Sequence, residues 1–192
     1  NIVVKENGID STSEAFRIIR TNMEFMKMSH DMKVIQFTSA NPGSGKTFVA
    51  SNLAMTLALS SKKVVIIDLD LRKRTLSKSL KSSKNGITSY LSGQASINDI
   101  LHKGEHENLY VINAGPLPPN PAELLLSKKL EDLIAELKTQ FEYIILDNVP
   151  STMVADAAIV NRVSDLTIYV IRQGLMDRRQ LPEIERLYTE HK

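Results

Sequence analysis

The stretch from Thr38 to Thr47, which reads TSANPGSGKT, constrains this chain more than any other part of it. It fits the phosphate-binding pattern of a small residue, here Ala40, followed by four residues and then Gly-Lys-Thr. The glycines in it let the backbone curl so that successive N–H groups point at a polyphosphate, and the start of the next helix adds partial positive charge. We therefore predict that Lys46 binds the β- and γ-phosphates of a nucleotide and that Thr47 ligates Mg²⁺. The predicted nucleotide-binding set in this loop is Asn41, Pro42, Gly43, Ser44, Gly45, Lys46, Thr47 and Phe48.

The loop lies in a chain whose short apolar runs alternate with helical patterns. The runs are apolar on consecutive residues, which is typical of strands that are covered by helices on both faces of a parallel sheet. This pattern predicts an α/β fold with a doubly wound, mainly parallel sheet flanked by helices. The predicted strands cover residues 34–39, 64–68, 109–113, 143–147 and 166–171, and the predicted helices cover 46–60, 75–80, 96–101, 121–140 and 156–163.

Length and composition exclude several classes of function. The 192 residues suit one domain, 1–192, and the net charge of +2 is too small to indicate nucleic acid or a membrane as the main partner. The absence of cysteine excludes disulfides, thiolate metal sites and a cysteine nucleophile. The longest apolar runs are far shorter than the ~18 residues of a membrane span. Because the chain begins with Asn1 rather than Met, we expect it to be a piece of something longer.

Acidic residues follow two of the predicted strands. Asp68 and Asp70 come at the end of the second strand, and Asp147 ends the fourth. The carboxyl ends of parallel strands form the ligand site in open α/β sheets, so we expect these carboxylates to face the phosphate loop. Asp147 is the predicted metal carboxylate, which holds Mg²⁺ directly or through a water. Of Asp68 and Asp70, one could accept the proton of an attacking hydroxyl and one could assist the metal without binding it directly. The alternative for each is that a strand-end Asp caps the following helix.

The first predicted helix, residues 13–28, is apolar on two sides. A core-facing stripe is expected from Phe16, Ile19, Met23 and Met26, whereas Ile18 and Phe25 lie on the opposite side. Two readings stay open: both sides pack inside this chain, or one side meets a partner.

Several further segments, taken with the loop, resemble one family. A Walker A loop lies at residues 40–47, an apolar run ending in Asp-x-Asp-x-Arg at 65–72, and a Walker B strand at 144–147. A Glu-x-x-Arg-x-x-Arg helix lies at 14–20, and three further matching segments cover 86–93, 114–125 and 154–157. With these motifs the chain resembles the bacterial tyrosine kinases of capsule and exopolysaccharide export systems, which belong to the P-loop NTPases.

The resemblance implies that the γ-phosphate of ATP is transferred to tyrosine hydroxyls, largely on a neighbouring copy, with Mg²⁺ as cofactor. It implies catalytic roles for Lys46, Asp68, Asp70 and Asp147, metal contacts from Thr47, Asp68 and Asp147, and a nucleotide contact from Arg72. It also implies that Glu14, Arg17 and Arg20, in an oligomerisation region covering 1–30, join subunits into a ring, while 31–192 form the nucleotide-binding core, truncated at its C-terminal end.

The same resemblance implies a biological setting. The enzyme would regulate capsular polysaccharide polymerisation and export at the cytoplasmic face of the plasma membrane, with this fragment itself soluble. Its expected partners are further copies of itself, a membrane adaptor or polysaccharide copolymerase segment that is fused or separate, and a tyrosine phosphatase, but no nucleic acid.

The chain departs from the family pattern in three places. The family commonly has Asp-Thr-Pro-Pro after the Walker B strand, where this chain has Asp147-Asn148-Val149-Pro150; a terminal tyrosine cluster is missing, and the family's closing strand is expected beyond residue 192. Two alternatives stay open: a partitioning-type ATPase, although Asn41 stands where such proteins carry a second lysine, and an ATP-binding oligomerisation module with little chemistry.

The His-x-x-Glu-His match at residues 102–106 is interpreted as a coincidence, because Gly104 interrupts the helix that a zinc site of this kind needs.

Overall fold

The computed structural model describes residues 2–79, 85–151 and 156–190 and contains a six-stranded sheet. The strands lie in the order β3-β4-β2-β5-β1-β6, and all neighbours are parallel except β3 and β4. This arrangement confirms the predicted mainly parallel sheet. The strands are β1 (Val34–Thr38), β2 (Val64–Asp68), β3 (Leu101–Lys103), β4 (Leu109–Ile112), β5 (Tyr143–Asp147) and β6 (Leu166–Tyr169).

Helices cover both faces of the sheet. They are α1 (Ser11–Ser29), α2 (Lys46–Leu59), α3 (Thr75–Ser79), α4 (Ile87–Leu91), α5 (Ile97–Ile100), α6 (Pro121–Leu126), α7 (Lys128–Gln140), α8 (Asp156–Asn161) and α9 (Leu181–Glu190), with a 3₁₀ turn at Arg178–Gln180. None of the described helices is both long and apolar enough to cross a bilayer.

The strands are apolar on consecutive residues because each face of the sheet has its own core. In β2, Val65 and Ile67 pack with residues of α4, α6 and α7, whereas Val64 and Ile66 pack with residues of α1 and α2. Every residue of β1, β2 and β5 is buried. The central strands are therefore fixed from both sides, and their carboxyl ends are held in one place.

Three predicted elements differ from the structure. The third strand, β3, was not predicted, and the helix expected over 96–101 is shortened to α5 because Leu101 already pairs with Ile112. The helix expected over 121–140 is broken at Ser127, whose backbone is extended with φ −64° and ψ 148°. The helix expected over 75–80 ends within the described residues at Ser79, and residue 80 lies outside them.

The His-x-x-Glu-His segment forms no helix. His102 lies in β3, and the turn after it is closed by a hydrogen bond from the Gly104 N–H to the Leu109 carbonyl oxygen, 2.8 Å. The His106 Nδ1 accepts from the Asn108 N–H at 3.2 Å. The continuous helix that this zinc pattern needs is thus not formed by residues 102–106.

Helix α1 buries one face and exposes the other. Phe16 and Met23 are buried and Ile19 is half-buried, but Met26 is 48% exposed, so its predicted core position is wrong. The opposite side exposes Ile18 by 55% and Phe25 by 65%. We call the exposed apolar residues Ile18, Phe25, Met26 and Met28 the outer face of α1. The reading in which both sides pack inside this chain is therefore wrong.

The packing of α2 predicts a large effect for one core truncation. Leu53 is fully buried between α1 and the sheet, so Leu53→Ala is expected to lower the free energy of unfolding by about 2–5 kcal/mol. Leu126→Ala is the matched control, because Leu126 is also helical but 54% exposed, and its effect should stay within about 0.5 kcal/mol. Urea unfolding followed by circular dichroism measures both. Equal losses in the two variants would contradict the position assigned to α2.

Candidate active site

The phosphate loop is a tight turn between β1 and α2. Gly43 and Gly45 adopt φ values of +80° and +94°, and a Cβ atom at either position would meet nothing within 4 Å. Glycine is therefore required by the backbone conformation and not by lack of space. The hydroxyls of Ser39 and Ser44 both donate to the Asn41 carbonyl oxygen, at 2.9 and 2.7 Å, which fixes the curl of the loop.

Lys46 begins α2 and points back along the loop. Its Nζ donates to the Ser39 Oγ at 3.2 Å, and the residue is 8% exposed. Burial lowers the pKa of this lysine, and the nearby charges of Asp147 and Asp70 oppose that shift. The Lys46 ammonium is thus held against the loop by Ser39, close enough to Asp147 and Asp70 for their charges to act on it.

The next residue links the loop to the Walker B strand. The Thr47 Oγ1 donates to the Asp147 Oδ2 at 2.6 Å, while the Asp147 Oδ1 is buried and has no hydrogen-bond partner among the described residues. Burial raises the pKa of Asp147 to about 7, and the Thr47 hydrogen bond only partly offsets this. An unpartnered, buried carboxylate oxygen beside a hydroxyl is a suitable half of a site for a hard cation, which prefers oxygen ligands.

Asp68 lies directly beside Asp147, because the two residues are register partners in β2 and β5. Its Oδ2 accepts from the N–H of Ser77 at 2.8 Å and from the Ser77 hydroxyl at 2.6 Å, and its Oδ1 accepts from the Asp70 N–H at 3.2 Å. Burial raises the pKa of Asp68 to about 6, against the effect of these hydrogen bonds. Two of these hydrogen bonds come from Ser77 in the first turn of α3, which is a contact of the kind that the capping alternative predicts. The role of Asp68 in proton transfer or metal binding stays a prediction.

Ser77 is a site residue that the sequence analysis missed. Besides its two hydrogen bonds to Asp68, its Oγ accepts from the Ala114 N–H at 2.8 Å. It thereby ties the end of β2 to the segment that follows β4. A serine nine residues after the aspartate has no motif of its own that would have revealed this contact.

The turn after β2 carries Asp70 and Arg72. The Asp70 Oδ1 accepts from the Lys73 N–H at 2.9 Å, the residue is 7% exposed, and its charge acts on Lys46. Arg72 is exposed on the same turn. The charge of Asp70 thus acts on the loop lysine. The catalytic role of Asp70 and the contact between Arg72 and a nucleotide stay predictions.

Two loop residues point away from the turn's interior. The Phe48 ring is 41% exposed and stacks at a tilt on Phe16 of α1, with the ring centroids 6.1 Å apart. Any nucleotide contact of Phe48 would therefore come from its backbone. The Asn41 side chain contacts Gln180, whereas its carbonyl oxygen faces the loop.

The departure from the family pattern after the Walker B strand is well accommodated. Asn148 is fully buried, its Nδ2 donates to the Gln36 Oε1 at 3.1 Å, and its N–H donates to the Phe37 carbonyl oxygen at 3.1 Å. The Val149 carbonyl oxygen accepts from the Thr38 Oγ1 at 2.9 Å. The turn is therefore anchored on β1 without the threonine that the family commonly has. Residues 152–155, which include part of the segment matched at 154–157, lie outside the described residues.

The three candidate oligomerisation residues lie on α1 next to its outer face. Arg17 pairs with Glu14 at 2.6 Å and also donates to the Gly8 carbonyl oxygen, and Arg20 lies 3.8 Å from Glu24. The Glu14 side chain is 60% exposed. These charges thus border the exposed apolar residues of the same helix.

The acidic cluster is not a complete metal cage by itself. Among the residues that the structure describes, no three His, Asp or Glu side chains come close enough together to hold a metal. A magnesium ion normally takes only one or two protein carboxylates and fills its shell with phosphate and water oxygens. The Thr47 hydroxyl and the unpartnered Asp147 oxygen fit such a shared shell.

Comparison with known proteins places this geometry in one family. The family model described as an AAA domain matches residues 32–173. The tyrosine-protein kinase YwqD of Bacillus subtilis (strain 168) is 38% identical over 181 residues, which cover 94% of this chain and 76% of that protein. The tyrosine-protein kinase etk of Escherichia coli (strain K12) is 36% identical over 178 residues, which cover 92% of this chain but only 24% of that protein.

Solved structures agree with these relatives. The kinase domain of the Escherichia coli tyrosine kinase ETK is 34% identical and superposes with a TM-score of 0.87, covering 94% of this chain and 72% of that one. The chimerical protein CapA2B2 is 31% identical with a TM-score of 0.90, covering 97% and 82% of the two chains. The chain therefore belongs to the family of bacterial tyrosine kinases and has their P-loop fold.

Proposed function

We propose that this chain transfers the γ-phosphoryl group of ATP to tyrosine hydroxyls. The observation that carries the proposal is the convergence of Lys46, Thr47 and Asp147 at one end of the sheet, with an unpartnered Asp147 oxygen beside the loop. That the reported relatives are named tyrosine-protein kinases favours this reading over a partitioning-type ATPase.

In this proposal each described residue has a limited task. The loop amides and the Lys46 ammonium bind and orient the phosphates, and Thr47 with Asp147 holds Mg²⁺, which when bound neutralises phosphate charge. The new bond joins the tyrosine oxygen to the γ-phosphorus, the bond to the bridging oxygen breaks, and ADP leaves. Positioning and charge neutralisation supply most of the rate in such transfers.

The tyrosine proton needs an acceptor, and two carboxylates are candidates. Asp68 is the proposed acceptor or metal partner, but both of its oxygens already receive hydrogen bonds. Asp70 accepts the Lys73 N–H through its Oδ1, and its charge acts on Lys46. Substituting each in turn separates a role in proton transfer from a role in holding the turn after β2.

The kinase proposal predicts which side chains transfer depends on. With ³²P-labelled ATP and a tyrosine-bearing acceptor polypeptide, Lys46→Met and Asp68→Asn are each expected to reduce tyrosine phosphorylation by at least about 100-fold, because each removes charge or orientation at the transferred phosphoryl group. Lys62→Met is the matched control, since Lys62 precedes β2 at the far end of the sheet. Wild-type labelling by either site variant would refute the role of that residue. Release of free phosphate without transfer would instead indicate an ATPase, and neither product an ATP-binding module.

The burial of Asp147 predicts a specific pH dependence. The pKa of Asp147 is about 7 in the folded chain and 3.8 for an ordinary Asp, so the folded state keeps a proton that the unfolded state loses, and stability falls as pH rises from about 4 to 7. Asp147→Asn should therefore melt higher than wild type at pH 8 without Mg²⁺, by about 2–4 °C for each 1 kcal/mol relieved.

Magnesium should relieve the same burial cost in the wild type. Because a proton competes with the ion for Asp147, the rise in melting temperature caused by Mg²⁺ with ADP should be larger at pH 8 than at pH 6, and it should be lost in Asp147→Asn. Differential scanning calorimetry at both pH values measures these shifts. An equal magnesium effect at the two pH values, or in the variant, would show that Asp147 does not hold the ion.

We propose in addition that copies of this chain associate through α1, in a ring, with residues 1–30 as the oligomerisation region and 31–192 as the nucleotide-binding core. Support comes from the exposed outer face of α1 and from the bordering charges of Glu14, Arg17 and Arg20. Exposed apolar residues gathered on one helix face are typical of a protein interface.

This association predicts the effect of a charge on the outer face. Phe25→Glu is expected to shift the assembly to monomers in analytical ultracentrifugation, because burying an unpaired carboxylate at an interface is costly. Leu126→Glu is the control, because Leu126 is also helical and 54% exposed but lies in α6, outside residues 1–30. If both variants sediment like wild type, the interface lies elsewhere.

The wider setting is proposed from the family alone. We infer a role in capsular or exopolysaccharide export at the cytoplasmic face of the plasma membrane, with a membrane adaptor, fused or separate, and a tyrosine phosphatase as partners. The likeness to the chimerical protein CapA2B2 and to a kinase of which this chain spans only 24% is compatible with a further segment of this kind.

A further inference from the structure

The segment that follows β6 folds back over the phosphate loop. The Arg172 Nη1 donates to the Gly43 carbonyl oxygen at 3.1 Å, and the 3₁₀ turn Arg178–Gln180 lies beside Asn41. Asn41 and Gln180 are 139 positions apart in the sequence. The loop is therefore held from its outer side by residues that belong to no phosphate-binding motif.

The principal contact is a reciprocal pair of side-chain amides. The Asn41 Nδ2 donates to the Gln180 Oε1 at 3.0 Å, and the Gln180 Nε2 donates to the Asn41 Oδ1 at 3.2 Å. The Asn41 Nδ2 also lies 3.3 Å from the Leu175 carbonyl oxygen. Each amide thus satisfies the other with both a donor and an acceptor, which fixes the mutual orientation of the two planar groups.

Gln180 is also fixed by hydrogen bonds within its own turn. Its Oε1 accepts from the Asp177 N–H at 3.2 Å, and its own N–H donates to the Asp177 carbonyl oxygen at 2.9 Å. The side chain therefore projects from a closed turn and not from a free loop.

Asn41 is the residue through which this contact reaches the site. Its carbonyl oxygen accepts from both Ser39 and Ser44, and the same Ser39 Oγ accepts from the Lys46 Nζ at 3.2 Å. A displacement of Asn41 would consequently disturb the loop at Ser39 and at Ser44. It would also disturb Lys46, which is proposed to bind the terminal phosphates.

We propose that Gln180 is a positioning residue for the nucleotide site: by holding Asn41 it keeps the phosphate loop in the conformation that receives the phosphates. The inference rests on the proposed function of the loop as a nucleotide site. A loop that is ordered in advance binds more tightly, because binding no longer has to order it. The expected effect is therefore on nucleotide affinity and not on the chemical step.

The test compares variants of the pair for Mg·ADP affinity by isothermal titration calorimetry and for KM and kcat with ATP. Gln180→Ala is expected to weaken ADP binding and raise the KM for ATP by roughly threefold to tenfold, the range for one or two lost hydrogen bonds, with kcat unchanged. Arg178→Ala is the control, because Arg178 lies exposed on the same turn and should bind ADP like wild type.

A double-mutant cycle shows whether Gln180 acts through Asn41. Asn41→Ala combined with Gln180→Ala should bind ADP no more weakly than Asn41→Ala alone, because the second substitution removes nothing further once the pair is broken. Gln180→Glu should bind ADP more weakly than Gln180→Ala, since it replaces the donor by a negative charge beside the loop. Independent, multiplying effects of the two alanines would overturn the proposal.

Failure of this inference can be told apart from failure of the proposed function by including Lys46→Ala. If Gln180→Ala binds ADP like wild type while Lys46→Ala loses binding, the positioning role is wrong and the nucleotide site stands. If Lys46→Ala also binds ADP like wild type, the loop is not the nucleotide site and both proposals fall.

Discussion

Two carboxylates are buried side by side at the carboxyl end of the sheet, with one lysine near them. Asp68 and Asp147 are register partners on β2 and β5, and each is at most 1% exposed. Burying like charges together is unfavourable unless protons, hydrogen-bond donors or a cation compensate. Ser77 and the Asp70 N–H supply donors to Asp68, whereas among the described residues the Thr47 hydroxyl is the only hydrogen-bond donor to Asp147. The fold thus keeps one acidic oxygen unsatisfied at the place where a ligand would satisfy it.

The rest of the fold maintains that arrangement. Both faces of the central strands are covered, so β2 and β5 cannot slide relative to each other without disrupting a core. The buried Asn148–Gln36 contact fixes the turn after Asp147 onto β1. The glycine turn places Lys46 opposite the acids, and the segment after β6 closes the outer side of that turn. Each of these contacts restricts the position of a charged group.

The sequence predicts the parts of this structure that have their own local pattern. The consecutive apolar runs correctly predicted five strands, and the glycines at 43 and 45 correctly predicted the curl of the loop, because each depends on nearby residues alone. The third strand was missed because it has only three residues, of which His102 and Lys103 are polar and none is buried. The break at Ser127 was missed because the apolar spacing continues through it.

The contacts that complete the candidate site join residues that are far apart in the sequence. No local sequence pattern could therefore predict them. Ser77 reaches Asp68 only because α3 folds back on the strand end, and Gln180 reaches Asn41 across most of the chain. Met26 has the helical spacing of a core residue, but it is half exposed because the C-terminal part of α1 extends beyond the core that the helix covers. In each case the deciding factor is the placement of a second element, which hydrophobic spacing does not encode.

The burial of helix α2 affects how its amide protons exchange with solvent. Ten of its 14 residues are buried, and the Asn52 side chain in its middle accepts hydrogen bonds from the N–H groups of Val3 and Val4. We therefore expect the amide protons of its buried central residues to exchange with solvent chiefly through global unfolding rather than through local fraying. If the loop binds a nucleotide as proposed, the ligand would stabilise the folded state and slow the exchange of those amides whose exchange requires global unfolding.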